Sequence, residues 1–453
     1  MGPIRQLVVV GMGDVTTRYV IPAVAELWAA GDLPDGFTLD LVSRREMSPD
    51  EVAEIISVSL GGTDEDEQTS ALIAMSRHRL ADATDPYDVA DLVSGDDPLA
   101  VYLALPADVF SGAVDAMAQA GLPDGSRIVF EKPFGTDLAS AVELNQQLAR
   151  CLPDDDVFRV DHFLGKQTVQ QIIGTRFSNR VFEAVWDHEH VESVEVVWDE
   201  TLALEGRAGF YDSTGALRDM VQNHLMQLFC LVAMEPPVSL GHRHVADAKV
   251  EVLGSTRPFD DDLNRCSVRA RYTAGEVDGE EIPGYADSDG VDAGRGTETF
   301  ASITVAVDTP RWRGVPFTLR SGKALRHDRH EIVIRFRPAA SHISLTGDAS
   351  PANTLRFGVK PDRLALDLVM GELEVGEGPG DLETRPASLV EAADDSPLGA
   401  YSVLLRDVVT GSSTRSVRSD EVEESWRVLQ PFLDAWSADE VPLDEYPAGS
   451  DAP

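Results

Sequence analysis

The stretch Arg159-Val160-Asp161-His162-Phe163-Leu164-Gly165-Lys166 packs an acid, an imidazole and a cation into a few residues. An imidazole beside an ammonium group suits an anion such as a phosphate, and Asp161 can orient a distant histidine as an acid–base pair. A second cluster, Arg218-Asp219-Met220-Val221-Gln222-Asn223-His224, interrupts an otherwise apolar helical stretch. A lone histidine on an apolar face is usually a satisfied core residue, but Asp, Gln, Asn and His this close together favour a site. Metal is the competing use of such a cluster. Neither stretch has a paired H-x-x-H or H-x-x-E spacing. His327 and His330 do, but they sit among arginines that would repel a cation, so no metal is expected.

Three further motifs point to a dinucleotide. Gly11-Met12-Gly13-Asp14 joins an apolar run to a helix-like stretch. Glycines there let the backbone approach a pyrophosphate, and the helix N-terminus offers oriented N–H groups. The next apolar run ends at Ser43-Arg44-Arg45, where an acid would take a ribose hydroxyl and arginine suits a 2′-phosphate. NADP is therefore favoured over NAD. Glu131-Lys132-Pro133-Phe134-Gly135 follows another apolar run, placing Lys132 where open α/β sheets hold ligands. Each motif also has a plainer reading: a strand–helix connection, two surface arginines, a turn proline beside an exposed lysine.

These residues need elements to hold them. Gln6–Val10, Phe37–Val42, Leu99–Leu105 and Arg127–Glu131 read as strands, and Thr16–Ala30, Val109–Ala120 and Leu138–Leu148 as helices. That alternation predicts a doubly wound parallel sheet. Past about residue 160 the pattern changes. An apolar helix over Leu217–Ala233 is accompanied by period-two strands at Val191–Trp198, Ser267–Tyr272, Thr299–Val307, Glu331–Phe336 and Thr354–Val359. These predict a large, mostly antiparallel sheet with helices on one face. The expected organisation is a Rossmann domain over 1–160 and an α+β domain over 161–453. Gly275–Gly296 reads as an exposed loop whose Asp-Ser-Asp-Gly lacks the ligand spacing of a calcium site. The tail after Tyr446 reads as disordered.

The chain has 453 residues, 38 Lys+Arg against 78 Asp+Glu, and a formal charge of −40. That excess excludes a nucleic-acid binder and disfavours an anionic membrane surface. Its simplest use is solvation, and a high-salt habitat is one setting for it. No apolar run approaches the roughly 18 residues of a membrane helix. The start, Met1-Gly2-Pro3-Ile4-Arg5, shows no signal-peptide pattern. Cys151, Cys230 and Cys266 have neither pairing nor zinc spacing. A cytoplasmic location is expected. Only five of the basic residues are lysines: Lys132, Lys166, Lys249, Lys323 and Lys360.

The chain resembles the glucose-6-phosphate dehydrogenase family. The resemblance runs through Leu103–Pro106, EKPFG at 131–135, RVDHFLGK at 159–166, GRAGFYD at 206–212, RDMVQNHLMQLFCLVAMEPP at 218–237, VPFTLRSGKAL at 315–325 and VRSDEVEESWRVLQPFL at 417–433. It implies a Rossmann domain followed by a β+α domain, association into homodimers or homotetramers through the large sheet, and NADP-linked oxidation of glucose 6-phosphate at C1. It implies His224 as general base with Asp161 as its partner. It implies His162 and Lys166 on the sugar phosphate, and Lys132 near the reacting carbon and the cofactor. Glu200, Asp219, Lys323 and Lys360 then fall at sugar contacts, and Gly11, Gly13, Asp14, Ser43, Arg44 and Arg45 at the cofactor. Lys249, in a strand-like segment, receives no role.

The chain also departs from the family. The glycine loop is one residue shorter than the usual G-x-x-G-D-L, Tyr19 stands where lysine is usual, and Phe163 replaces a tyrosine. Asp328 stands where a basic phosphate contact is usual, leaving Arg326 or Arg329 to substitute. These differences leave room for a paralogue acting on another hexose phosphate, an amino sugar phosphate or a free sugar. A non-catalytic scaffold would instead be expected to have lost Asp161 or His224.

Overall fold

A computed structural model describes residues 2–62, 66–204, 208–338, 352–371, 382–391 and 398–453. Gly206 and Arg207, which open the GRAGFYD stretch, lie outside them. The chain divides into two compact units, neither of them continuous. The first comprises Met1–Lys166, Pro237–Asp247 and Ser396–Glu423; the second comprises Gln167–Pro236, Ala248–Asp395 and Glu424–Pro453.

The first unit is a seven-stranded sheet. Gln6–Val10 lies inside it, with Thr38–Ser43 and then Ser76–Leu80 on one side. On the other side come Ala100–Leu103, Arg127–Glu131 and Val157–Val160, all parallel. Ser416–Val417 closes that edge antiparallel. The central strands are apolar throughout because helices cover both faces. Leu7, Val9, Leu39, Tyr102 and Val129 share one core with Val20, Ile21 and Val24 of the first helix and with Leu404 and Val408 of helix Ala400–Thr410. Buried Arg127 ties that late helix down: its guanidinium donates to the carbonyls of Val408 and, at 3.0 Å, Val409. The edge strand Ser76–Leu80, with its sequence SRHRL, gave no apolar signal. It is held by Arg77 and Arg79 on buried Asp40, at 2.5 and 3.7 Å.

The second unit is built on a ten-stranded sheet. Val191–Asp199 runs between Arg329–Phe336 and Phe317–Gly322. Outward on one side lie Thr354–Val359, Asp362–Gly371 and Leu382–Glu391; on the other lie Phe300–Val307, Ser267–Thr273 and Leu443–Pro447, with Thr256–Pro258 also paired to Phe300–Val307. All pairs are antiparallel except Phe317–Gly322 with Val191–Asp199 and Leu443–Pro447 with Ser267–Thr273. The apolar segment Leu217–Ala233 packs on this sheet, with Phe229 edge-on to Phe317 at 5.2 Å.

Several expectations are corrected. Gly275–Gly296 is not simply an exposed loop. Gly275–Val277 and Glu280–Ile282 form a hairpin over an Asp278-Gly279 turn, both residues at positive φ as such a turn requires. Beyond it Tyr285 is buried and donates to Asp212 at 2.9 Å. The tail is not disordered either. Tyr446 is buried in the added parallel strand, and Gly449 N–H reaches the Ala324 carbonyl at 2.8 Å. Lys249 lies on helix His242–Gly254, because its alternating neighbourhood also satisfies a helical period. Among the described residues no helix is long and apolar enough to cross a membrane.

Candidate functional site

In the first unit the chain reverses direction across the sheet between Gln6–Val10 and Ala100–Leu103. Open α/β sheets leave a crevice at such a switch point, beyond the carboxyl ends of the strands. A cleft of about 780 Å³ lies there, lined by Gly11, Gly13, Asp14, Ser43, Arg44 and Lys132 among others. Gly11 sits at φ +108, and a Cβ on it would collide with the Ala104 carbonyl oxygen. The shortened loop therefore still brings bare backbone to the cleft floor. It feeds Thr16–Val20, a π-helical turn in which Ile21 N–H reaches the Thr16 carbonyl five residues back. Thr16 Oγ1 donates to Gly11 O at 2.6 Å and fixes the loop on the helix. These features fit a dinucleotide: a concave cleft, a glycine no side chain can replace, and a helix start.

At the far end of the cleft, Ser43 Oγ lies 2.9 Å from His78 Nε2. Arg44 lines the cleft and comes within electrostatic reach of Asp82. The Asp82 carboxyl is held below its usual range chiefly by the Thr84 N–H and hydroxyl, with Arg44 a smaller cause. Arg45 turns elsewhere and pairs at 3.0 Å with Glu51, which belongs to the capping box of helix Pro49–Leu60. The structure thus separates the two arginines that the sequence placed together.

Lys132 follows the strand Arg127–Glu131 and precedes a cis proline. Glu131 beside it was missed from sequence. Its carboxylate accepts from Tyr102 Oη at 2.6 Å and Tyr401 Oη at 3.0 Å. Burial raises the Glu131 carboxyl, opposed by those two hydroxyls, and burial pushes Tyr102 well up. Tyr401 also stacks on Tyr19 at 4.6 Å and on His162 at 5.6 Å. No local signal connects Tyr401 with His162, because the contact exists only in the folded unit. Asp161 is 1% exposed and its Oδ1 accepts from Phe163 N–H at 2.9 Å. Phe163 is buried, and Lys166 Nζ lies over its ring at 5.7 Å.

In the second unit the parallel neighbours Val191–Asp199 and Phe317–Gly322 end on the same side. They therefore deliver Glu200 and Lys323 together as an ion pair of 2.7 Å, with side chains 20% and 18% exposed. Lys323 Nζ lies 5.4 Å from the Tyr211 ring centre, and Tyr446 Oη donates to the Lys323 carbonyl at 2.6 Å. Asp328 is locked onto Thr201, accepting from its N–H at 2.7 Å and its hydroxyl at 3.0 Å. Burial alone would raise the Asp328 carboxyl, but these bonds, with His330 and Lys360 nearby, hold it below its usual range. Arg326 pairs with Asp451 at 3.4 Å and Arg329 with Glu331 at 2.6 Å. Lys360 is exposed just beyond Thr354–Val359 and also precedes a cis proline.

Asp219 and His224 lie on Leu217–Leu225, which is π-helical rather than α-helical; Met226 N–H reaches back to the Val221 carbonyl. In an α-helix residues five apart are roughly 140° apart around the axis. In a π-helix they return to the same face, and such segments are frequent at functional sites. Asp219 and His224 therefore share a face, and His224 is 2% exposed. Periodicity could not have found this, because the apolar pattern predicts a regular helix.

The comparisons with known proteins agree across both units. Residues 8–171 match the family model described as glucose-6-phosphate dehydrogenase, NAD binding domain. Residues 173–453 match the one described as its C-terminal domain. Glucose-6-phosphate 1-dehydrogenase of Gluconobacter oxydans is 35% identical, over 97% of this chain and 92% of its own. Glucose-6-phosphate 1-dehydrogenase 2 of Mycobacterium tuberculosis is 36% identical, over 100% of this chain and 92% of its own. A solved glucose-6-phosphate dehydrogenase in complex with its substrate glucose-6-phosphate superposes with a TM-score of 0.89 at 29% identity, covering 100% of this chain and 96% of that one. The corresponding structure from Mycobacterium avium gives 0.85 at 30%, covering 100% and 95%. With both halves matched at nearly full length, the chain belongs to the glucose-6-phosphate dehydrogenase family.

Proposed function

We propose that the protein oxidises glucose 6-phosphate at C1 to 6-phosphoglucono-1,5-lactone, the first oxidative step of the pentose phosphate pathway, with NADP as oxidant. The reading rests above all on the full-length likeness to a structure that holds glucose 6-phosphate. When bound, NADP supplies a nicotinamide C4 that accepts hydride from C1. The chain's own residues do the rest. His224 takes the proton from the C1 hydroxyl, since hydride leaves C1 only as that proton leaves. Asp161 acts with His224 and stabilises its protonated form. His162 and Lys166 hold the 6-phosphate; Lys132, Glu200, Asp219, Lys323 and Lys360 hold and orient the sugar. Gly11, Gly13 and Asp14 take the pyrophosphate end of the cofactor, while Ser43 and Arg44 take the 2′-phosphate. The two expected domains divide this labour, the first serving the cofactor and the second the sugar and self-association. Homodimers or homotetramers form through the large sheet, and the enzyme works in the cytoplasm.

The test is NADPH formation from glucose 6-phosphate by wild type, His224→Asn and Asp161→Asn. Removing a general base is expected to lower kcat by roughly 10²–10⁴-fold. Undiminished turnover in His224→Asn would remove the assigned base. One observation favours a second reading, a related sugar phosphate: Asp328 and the buried Phe163 stand where the family places phosphate ligands. A panel of hexose phosphates and free sugars at fixed NADP separates the two by kcat/KM.

A further inference from the structure

The segment that carries His224 is gripped at both ends by buried polar side chains, a carboxyl at its start and a guanidinium at its end. At its start Glu298 Oε1 accepts from Leu217 N–H at 3.0 Å, and the Glu298 carbonyl accepts from Ala216 N–H at 3.2 Å. The Glu298 carboxylate fills the space over Gly215, which sits at φ +72 and where a Cβ would collide with it. At the other end four successive carbonyls would be orphaned, as at any helix C-terminus. Here each has a side-chain donor. Arg176 donates to Leu231 O and to Met234 O, both at 2.6 Å. Trp186 Nε1 donates to Val232 O at 3.0 Å, and Trp312 Nε1 to Ala233 O at 2.7 Å. The flank is pinned as well: Lys249 Nζ donates to Gln227 Oε1 at 2.8 Å, and Gln222 Nε2 to Ser425 Oγ at 3.1 Å.

The placement suits the helix dipole, with acceptor oxygens at the amino end and a cation at the carboxyl end. Both groups are costly to bury. Arg176 is 2% exposed; burial lowers its guanidinium to about 9, so it remains a cation at neutral pH. Glu298 is 7% exposed, and burial raises its carboxyl against the pull of Leu217 N–H, Arg218 and Arg269. Between these pins lies the π-helical stretch, a conformation the backbone rarely keeps unaided. With both ends fixed, the extra residue of the π turn cannot be passed out, and the imidazole keeps its direction.

We propose that Glu298 and Arg176 are positioning residues for His224, holding the π-helical register that aims the imidazole at the C1 hydroxyl. The proposal rests on His224 being the base. Both are buried at the ends of the helix, and each acts through it.

The test measures kcat per folded molecule, KM for glucose 6-phosphate and NADPH affinity in Glu298→Ala, Glu298→Gln and Trp186→Phe. The folded fraction at assay temperature is read from circular-dichroism melting. Misplacing a catalytic group by about 1 Å can lower turnover by on the order of a hundredfold. Glu298→Ala is expected to lose kcat by at least roughly tenfold, with KM and NADPH affinity within about twofold of wild type. Glu298→Gln, which keeps an acceptor for Leu217 N–H, should recover much of that loss. Trp186→Phe removes one bond and little volume, and carries the test if Glu298→Ala does not fold; a several-fold loss of kcat alone is expected. An unchanged kcat per folded molecule in every variant that folds overturns the proposal. Wild type and His224→Asn are run in parallel. Full turnover in His224→Asn removes the base itself, whereas its loss there with wild-type turnover in the other variants removes only the positioning role.

Discussion

In the first unit a π-helical turn, Thr16–Val20, follows a glycine loop on the rim of an open cleft, and bare backbone lines the cleft floor. In the second a π-helical stretch, Leu217–Leu225, is buried almost residue by residue, and side chains do the work. The contrast shows two ways of holding a reactive geometry. The cleft depends on what is missing, a Cβ at Gly11. The buried helix depends on what is present, polar side chains such as Gln222 and Gln227 held by partners. The first is sensitive to added volume and the second to lost hydrogen bonds.

Adding volume to the cleft is the most severe way to test this. Gly11→Val, strained at φ +108 and driven into the Ala104 carbonyl, should weaken NADPH binding by on the order of a hundredfold in a fluorescence titration. Melting of the second unit should be unaffected; a variant that binds NADPH normally would remove the backbone account of the cleft. Arg44→Ala comes next. Losing one charged contact to a phosphate, about 1.5–3 kcal/mol, should cut NADP affinity roughly tenfold or more and leave NAD affinity alone. Tyr401→Phe removes one hydroxyl from Glu131, whose other partner remains. A cost of about 1 kcal/mol is expected, together with a several-fold rise in KM for glucose 6-phosphate, because the ring still stacks on His162.

Smaller still is a pH effect confined to the second unit. His330 packs against Trp198 with ring centres 4.0 Å apart and planes tilted by 32°, and burial lowers its pKa from the ordinary 6.5. The unfolded chain therefore takes up its proton first, so stability is full above about 6.5 and declines as pH falls through that range. Thermal melting of His330→Phe should lose this acid-side decline; an identical decline in wild type and variant would assign it to other groups. Arg45→Ala should change NADP affinity by less than about twofold, since an exposed pair such as Arg45–Glu51 contributes little.

Legibility followed burial. Gln6–Val10, Arg127–Glu131, Leu138–Leu148 and Thr354–Val359 were readable to the residue, because apolar periodicity and flanking turn residues agree there. Ser76–Leu80 was not, since an edge strand held by Arg77 and Arg79 on Asp40 carries no apolar pattern. Val157–Val160 was hidden among charged neighbours. For the site, motifs singled out individual residues, but their grouping needed the fold. Arg44 and Arg45 look equivalent in sequence and face different partners. Glu131 and Tyr401 meet across 270 positions, and no local pattern announces such a pair. The π-helical register was invisible for another reason: it changes which residues share a face without changing which are apolar.

The late helix Ala400–Thr410 bears on how the chain is made and how it can be cut. Arg127 emerges from the ribosome long before Val408 and Val409, whose carbonyls accept from its guanidinium. Until they arrive, the central sheet must keep a charged side chain either solvated or unsatisfied, so the first unit cannot reach its final packing during early synthesis. A fragment ending near residue 166 would inherit the same defect permanently. Expressing the cofactor half alone therefore calls for grafting 237–247 and 396–423 back onto it, with short linkers in place of the intervening chain.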